Sequence, residues 1–241
     1  MDRLTTLMQR FQLAVHPAPL AQANLVALGD AEEPTCLKFY PRGGPHQATK
    51  KQVLMSALVD WVAGHNPLMA ALPDMVHFDL TASGDTLDLV RVMLAESNGR
   101  RCGAQSVVNR LGEVLMVRLL RSQIEQGATE PGLLAGLADP RLSRAIVAVH
   151  DHPGRIWNNG DLAAEAGLSL SRFSELFAAE VGETPMGYLR RWRLTLAHQD
   201  LTRGDRVEAV ARRYAYGSPE GFTRAFRKTY GVAPVSLRAS G

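Results

Sequence analysis

After "GHNPLMAALPD" the chain carries apolar residues at helical spacing. "AQSVVNRLGEVLMVRLLRSQIEQG" sets Val108, Leu111, Leu115 and Leu119 on one side, and "DTLDLVRVMLAES" just before it has the same texture. These patterns predict helices over about 86–98 and 104–126. The first eighty residues read differently. Short apolar runs, at 36–40 and 53–62, lie between the turn signals "HPAPL", "ALGDAEEP" and "YPRGGPH". Strands bounded by turns fit this, although "KKQVLMSALVDWVAG" is long enough for a helix. "GATEPGLLAGLADP" is Gly/Pro-rich and predicts a linker over 131–138.

From Asp139 the pattern predicts a series of short helices with their own start and stop residues. Asp139-Pro140 is an N-cap followed by proline, opening "RLSRAIVAVHDH". Asn159 or Asp161 caps "LAAEAG", which Gly167 ends. Ser169 caps a helix that runs to Glu180 and stops at Gly182. Thr184-Pro185 opens a longer one, ended by Gly204. Ser218, with Pro219 at the first helical position, opens the last, and Gly231 stops it.

Two of these helices are copies of one frame. "FSELFAAEVGETP" begins at Phe173 and "FTRAFRKTYGVAP" at Phe222; Phe173/Phe222, Phe177/Phe226, Gly182/Gly231 and Pro185/Pro234 are all 49 positions apart. A short helix, a tight turn and a second helix with aromatics at i and i+4 form a helix-turn-helix pattern. The phenylalanines face the core. The opposite faces carry the candidate contacts: Leu170, Ser171, Arg172, Ser174 and Glu175 on the first helix, and Pro219, Glu220, Gly221, Thr223, Arg224, Arg227 and Lys228 on the second. In such a motif the N-terminal part of the second helix enters the major groove and later basic residues reach phosphates. Arg224 is the strongest candidate for a bidentate contact to guanine, while Glu175 is limited to accepting from cytosine N4 or positioning an arginine. The connecting helix, eighteen residues and about 27 Å long, spaces the two units for adjacent turns of one duplex face, about 34 Å apart. Leu189, Trp192, Leu196 and Ala197 supply its packing surface, and Arg190 and Arg191 remain for solvent or phosphate.

Charge sharpens this picture. Residues 1–138 hold 12 Lys/Arg against 13 Asp/Glu, and residues 139–241 hold 15 against 11. Within 186–228 the balance is 10 basic to 4 acidic, coinciding with the repeat and pointing to a polyanionic partner. With 241 residues and 46% hydrophobic content the chain can build one large domain or two small ones. No run of eighteen apolar residues suggests a membrane span, and "MDRLTTLMQRF" lacks the apolar core of a signal peptide, so a cytoplasmic location is expected. Two cysteines, Cys36 and Cys102, allow no disulfide framework or four-cysteine zinc site.

"GLSLSRFSELFAAEVGETPMGYLRRWRLTLAHQDL" followed by "VEAVARRYAYGSPEGFTRAFRKTYGVAP" closely resembles the DNA-binding domain of AraC/XylS-type transcriptional regulators. The resemblance covers about 100 residues, with both units and the linking helix in order. It implies two helix-turn-helix units reading two adjacent major-groove segments of double-stranded DNA, activation more often than repression, and RNA polymerase as a possible partner. Two positions depart from the family: Ala215 stands where glycine is usual at the second turn, and Glu175 where relatives often carry a basic or amide residue.

The front half resembles the cupin-like sensor module of such regulators through "MDRLTTLMQRF", "FYPRGGPH", "HNPLMAALPDMVHF" and "RRCGAQSVVNRLGEVLMVRLLRSQIE". Its intervals are short for the module, implying missing barrel strands and a reduced pocket or an open edge. The resemblance implies homodimerisation through this half and leaves a small-molecule effector open. The expected fold class is α+β, mostly α: a partial cupin-like β module with a helical pair in 1–130, helical from about 86, and an all-α double helix-turn-helix domain in 139–241. No cofactor, metal or enzymatic activity is expected, because His16, His46, His65 and His77 form no tight ligand cluster with a carboxylate. Cys102 follows Arg100 and Arg101, neighbours that can lower a thiol pKa, which makes it a candidate redox residue. Two alternatives stay open beside a DNA-binding regulator: an interaction partner that modulates a full-length relative, and a cysteine-based redox-sensing regulator.

Overall fold

The computed structural model describes residues 4–11, 13–30, 33–43, 52–61, 67–99, 101–127 and 131–240. The chain divides into two compact units, Leu7–Gly127 and Ala128–Gly241 with the first six residues.

A short helix α1 (Thr5–Arg10), in the first unit from Leu7 onward, precedes that unit's five strands: β1 (Leu13–Pro17), β2 (Leu25–Asp30), β3 (Glu33–Phe39), β4 (Val53–Trp61) and β5 (Val76–Asp79). They form one antiparallel sheet in the order β1-β4-β2-β3-β5. A short helix α2 (Pro67–Ala71) lies between β4 and β5, and two longer helices follow, α3 (Gly84–Gly99) and α4 (Ala104–Gln126). The segment that a length argument allowed as a helix is β4. Its buried residues Met55, Ala57 and Val59 alternate with less buried ones, the period of a pleated strand with one covered face.

Register places Val15 opposite Val59, Leu25 opposite both Ala57 and Phe39, and Phe39 opposite Val76, giving the sheet one continuous apolar face. All six are buried. Helix α4 packs against β1 through Gly112, where a Cβ would lie 2.5 Å from Val15 Cβ. The same helix satisfies the edge strand: the Val15 N–H donates to Asn109 Oδ1 at 2.6 Å.

The second unit is helical: α5 (Leu133–Ala138), α6 (Leu142–Asp151), α7 (Asn159–Ala166), α8 (Leu170–Val181), α9 (Pro185–Thr202), α10 (Val207–Arg213) and α11 (Pro219–Tyr230), closed by a 3-10 turn over Pro234–Ser240. Helix α5 falls within the stretch expected as a linker. Its glycine-rich composition serves packing: a Cβ at Gly136 would lie 2.7 Å from both Ile146 Cδ1 and Val181 Cγ2, so the small residue lets α5 settle against α6 and α8.

Caps follow the expected chemistry with two shifts. Asp139 lies outside the helix proper, yet its Oδ1 accepts from the N–H groups of Arg141 and Leu142 at 2.7 and 3.1 Å. Hydrogen bonding to the Arg141 guanidinium, with these backbone bonds, holds its carboxyl down at about 2. The cap of α7 is Asn158 rather than Asn159 or Asp161. Asp161 instead closes a reciprocal capping box with it. Ser169, Thr184 and Ser218 cap α8, α9 and α11 as expected.

Candidate nucleic-acid interface

The two copies of the frame have matching interiors. Phe173, Phe177, Phe222 and Phe226 are all buried, with ring centroids 5.5 Å apart in the first pair and 5.6 Å in the second. Helix α9 packs against both copies of the frame, burying Leu189, Trp192, Leu196 and Ala197. Near its start Tyr188 meets Phe177 edge-on at 5.7 Å and its hydroxyl lies 2.6 Å from His150 Nε2, while the His150 ring stacks on Trp192 at 4.0 Å. Burial pushes His150 down to about 3, so the imidazole is neutral.

The far end of α9 carries a polar anchor. Asp200, only 7% exposed, accepts from the Tyr214 hydroxyl at 2.6 Å and from Arg213 Nη1 at 2.5 Å; the same Arg213 nitrogen reaches Asp205 at 2.6 Å. Those carboxylates raise the Arg213 pKa further above its ordinary value. The anchor pins the end of α10 beside the turn into α11. In that turn Ala215 has φ 56°, the left-handed region where glycine was expected, and it is the one non-glycine residue so placed among those described. The Tyr216 N–H donates across the turn to the Ala211 carbonyl at 2.9 Å.

The outward faces differ. On α8, Leu170, Ser171, Arg172 and Glu175 are exposed and Ser174 is half-buried. Its polar groups satisfy one another: Ser171 Oγ donates to Glu175 at 3.4 Å, Arg172 lies 3.8 Å from the same carboxylate, and Ser174 Oγ donates to the Leu170 carbonyl at 2.9 Å. On α11, Pro219, Glu220, Gly221, Arg224, Arg227 and Lys228 are exposed and Thr223 is half-buried. Apart from Gly221, whose N–H donates to the cap Ser218, these line a cleft of about 670 Å³ with Val207 and Glu208 of α10. Arg224, Arg227 and Lys228 form no ion pair with any described residue.

The arginines of α9 separate into three kinds. Arg190 is exposed and has no ion-pair partner among the described residues. Arg191, grouped with it on sequence, is held by Glu183 through Nε at 2.9 Å and Nη2 at 2.5 Å and lies over the Tyr188 ring. Arg193 turns inward, donating to the carbonyls of Pro153 and Arg155 at 2.7 Å each. Arg203, Arg206 and Arg212 are also exposed and form no ion pair among the described residues. They belong to the basic count over 186–228 but lie off the second helix of either motif.

In the first unit, no three His, Cys, Asp or Glu side chains converge as metal ligands among the described residues. His46 and His65 lie outside those residues. His16 Nδ1 is 3.1 Å from Gln105 Nε2. Cys102 is exposed, and the neighbouring Arg101 is drawn to Glu96 at 3.2 Å; Arg100 is outside the described residues. Cys36 is half-buried, and burial raises its thiol pKa. No helix among the described residues is long and apolar enough to cross a membrane.

Comparison with known proteins gives two family matches on the two units, a helix-turn-helix domain over residues 162–240 and a cupin over 7–125. The chain is 33% identical over 175 residues to an AraC-like transcription regulator of Streptomyces lividans, covering 71% of this chain and 58% of that one. It is 30% identical over 178 residues to the HTH-type transcriptional regulator AlkR of Acinetobacter baylyi, covering 72% and 58%. It therefore spans less than two thirds of the length of these curated relatives. Among solved structures, ToxT of Vibrio cholerae aligns over 96% of this chain and 98% of its own at 9% identity, with a TM-score of 0.45.

Proposed function

Because the chain belongs to the AraC-type transcriptional regulators, pairing their helix-turn-helix domain with a cupin module, we propose that it binds duplex DNA sequence-specifically through α8 and α11 and acts in the cytoplasm as a regulator, not an enzyme. The observation that carries this reading is the cation set of α11. Arg224, Arg227 and Lys228 are exposed, unpaired among the described residues and lie along one helix face beside the α10 cleft. Elsewhere in this unit Arg191 and Arg213 are held by carboxylates. In this reading Arg224 contacts guanine, and Arg227, Lys228 and Arg190 contact phosphates. Leu170, Ser171, Arg172, Ser174 and Glu175 of α8 form a second, weaker reading surface one turn of DNA away.

Activation is the direction of regulation we propose, with the less basic α8 surface left to tune specificity or to meet RNA polymerase. The first unit is assigned to homodimerisation, and Val92, Val107 and Val114 on α3 and α4 are exposed apolar residues available for it. Light scattering of the purified chain tests that assignment. The test of the DNA reading is a binding titration on fragments selected by the purified chain. Arg224→Ala should cost about 1–3 kcal/mol on the selected site and relax its specificity. Unchanged affinity and an unchanged footprint would refute the groove assignment.

A further inference from the structure

A glutamate four residues before an arginine has the spacing that favours an intrahelical ion pair. Glu220 and Arg224 of α11 have that spacing, yet neither forms an ion pair or side-chain hydrogen bond with any described residue. Both line the cleft beside α10, together with Thr223. The first copy of the frame behaves in the opposite way, with Glu175 occupied by Ser171 and Arg172. The second unit therefore presents an open acceptor and an open bidentate donor side by side, in the first turns of its outward helix.

An open carboxylate facing a duplex is repelled by phosphates, so it weakens binding to every sequence that offers it no donor. Only cytosine N4 and adenine N6 donate in the major groove, and adenine places the N7 acceptor beside its donor, which repels a carboxylate. Cytosine is the partner that remains. Building on the DNA-binding reading above, we infer that Glu220 determines the specificity of the second unit, accepting from cytosine N4 while Arg224 donates to O6 and N7 of a nearby guanine. Four residues of helix rise about 6 Å, and successive bases are about 3.4 Å apart. The cytosine and guanine thus fall within two base-pair steps of each other. Gly221, between the two side chains, adds none of its own, and Thr223 is half-buried, leaving the acceptor and the donor to read this part of the groove.

Selection of bound duplexes from a random pool, using the full 241-residue chain, tests the assignment. The unsubstituted protein should enrich a motif holding a guanine and a cytosine within two steps. E220Q should convert the cytosine column to adenine, because an amide matches N6 and N7 together, and keep the guanine column. It should bind the original fragment about tenfold more weakly and bind unrelated DNA no more weakly than before. Glu220→Ala, a second variant at this exposed position, should leave that one column indifferent. R224A should lose the guanine column and keep the cytosine. If both Glu220 variants enrich the unsubstituted motif, the role of Glu220 is overturned while the regulator reading stands. If the unsubstituted chain enriches no sequence, the regulator reading itself fails.

Discussion

The buried imidazole of His150 makes the second unit sensitive to mild acid. In an unfolded chain a histidine titrates near 6.5. Burial between Tyr188 and Trp192 brings the folded value down to about 3, with the Arg191 charge pushing the same way. Between these values the unfolded chain binds a proton that the folded chain refuses, so stability is complete above pH 6.5 and is lost as pH falls towards 3. At pH 5 the unfolded histidine is 1.5 units below its pKa, which at 1.36 kcal/mol per unit destabilises the fold by about 2 kcal/mol relative to pH 7.5. With a urea slope of about 2 kcal/mol per molar, the midpoint should drop by about 1 M. Urea titrations at pH 7.5 and 5.0, followed by tryptophan fluorescence, measure this, with Trp192 in ring contact with the titrating group. His150→Gln keeps a hydrogen-bonding group for Tyr188 and removes the titration, so its midpoint should move far less between the two pH values. Asp139 does not interfere: its carboxyl, held at about 2, contributes stability above 3.8 that is lost only as pH falls below the tested window. An undiminished pH shift in His150→Gln would refute the reasoning.

Other consequences follow from the packing and ion pairs. Asp200→Ala leaves the Tyr214 hydroxyl and Arg213 without their shared acceptor and should cost about 2–3 kcal/mol in thermal unfolding; Asp205→Ala, at the exposed end of the same network, should cost under about 1. Gly112→Ala drives a Cβ into the fully buried Val15 and should destabilise the first unit by about 1–3 kcal/mol in denaturant titration. Arg190→Ala should reduce the slope of log affinity against log salt by about one on selected DNA, whereas Arg191→Ala, already neutralised by Glu183, should barely change it.

The helix-turn-helix frame was legible because its signals are local. A cap, a proline and a left-handed glycine recur at fixed offsets around two inward phenylalanines, and each reports on its own few residues. Helix α5 was hidden because Gly132 and Gly136 look like loop residues until the partners of Gly136, Ile146 and Val181, are known. Strand β4 was ambiguous because Leu54 and Leu58 interrupt the polar half of its alternation. The divergence of Arg190 and Arg191 was unreadable for a different reason. The partner of Arg191 is Glu183, eight residues back and before the cap of α9, outside the short spacings that pattern reading uses. Glu220 and Arg224 stand at i,i+4, yet their side chains make no pair among the described residues.

That open pair separates the two copies of the frame physically. In the proposed DNA complex a base contact by Glu175 of α8 would have to replace its contacts with Arg172 and Ser171, so part of the new contact would be offset by those given up. On α11 nothing has to be released, because Arg224, Arg227 and Lys228 hold no carboxylate among the described residues. In the proposed DNA complex equal folds would then give unequal readers: α11 would bring its cations without breaking an ion pair, and α8 would discriminate only where a base compensates for the broken cluster. A duplication of this kind keeps the core constant and shifts the division of labour through side chains that never enter it.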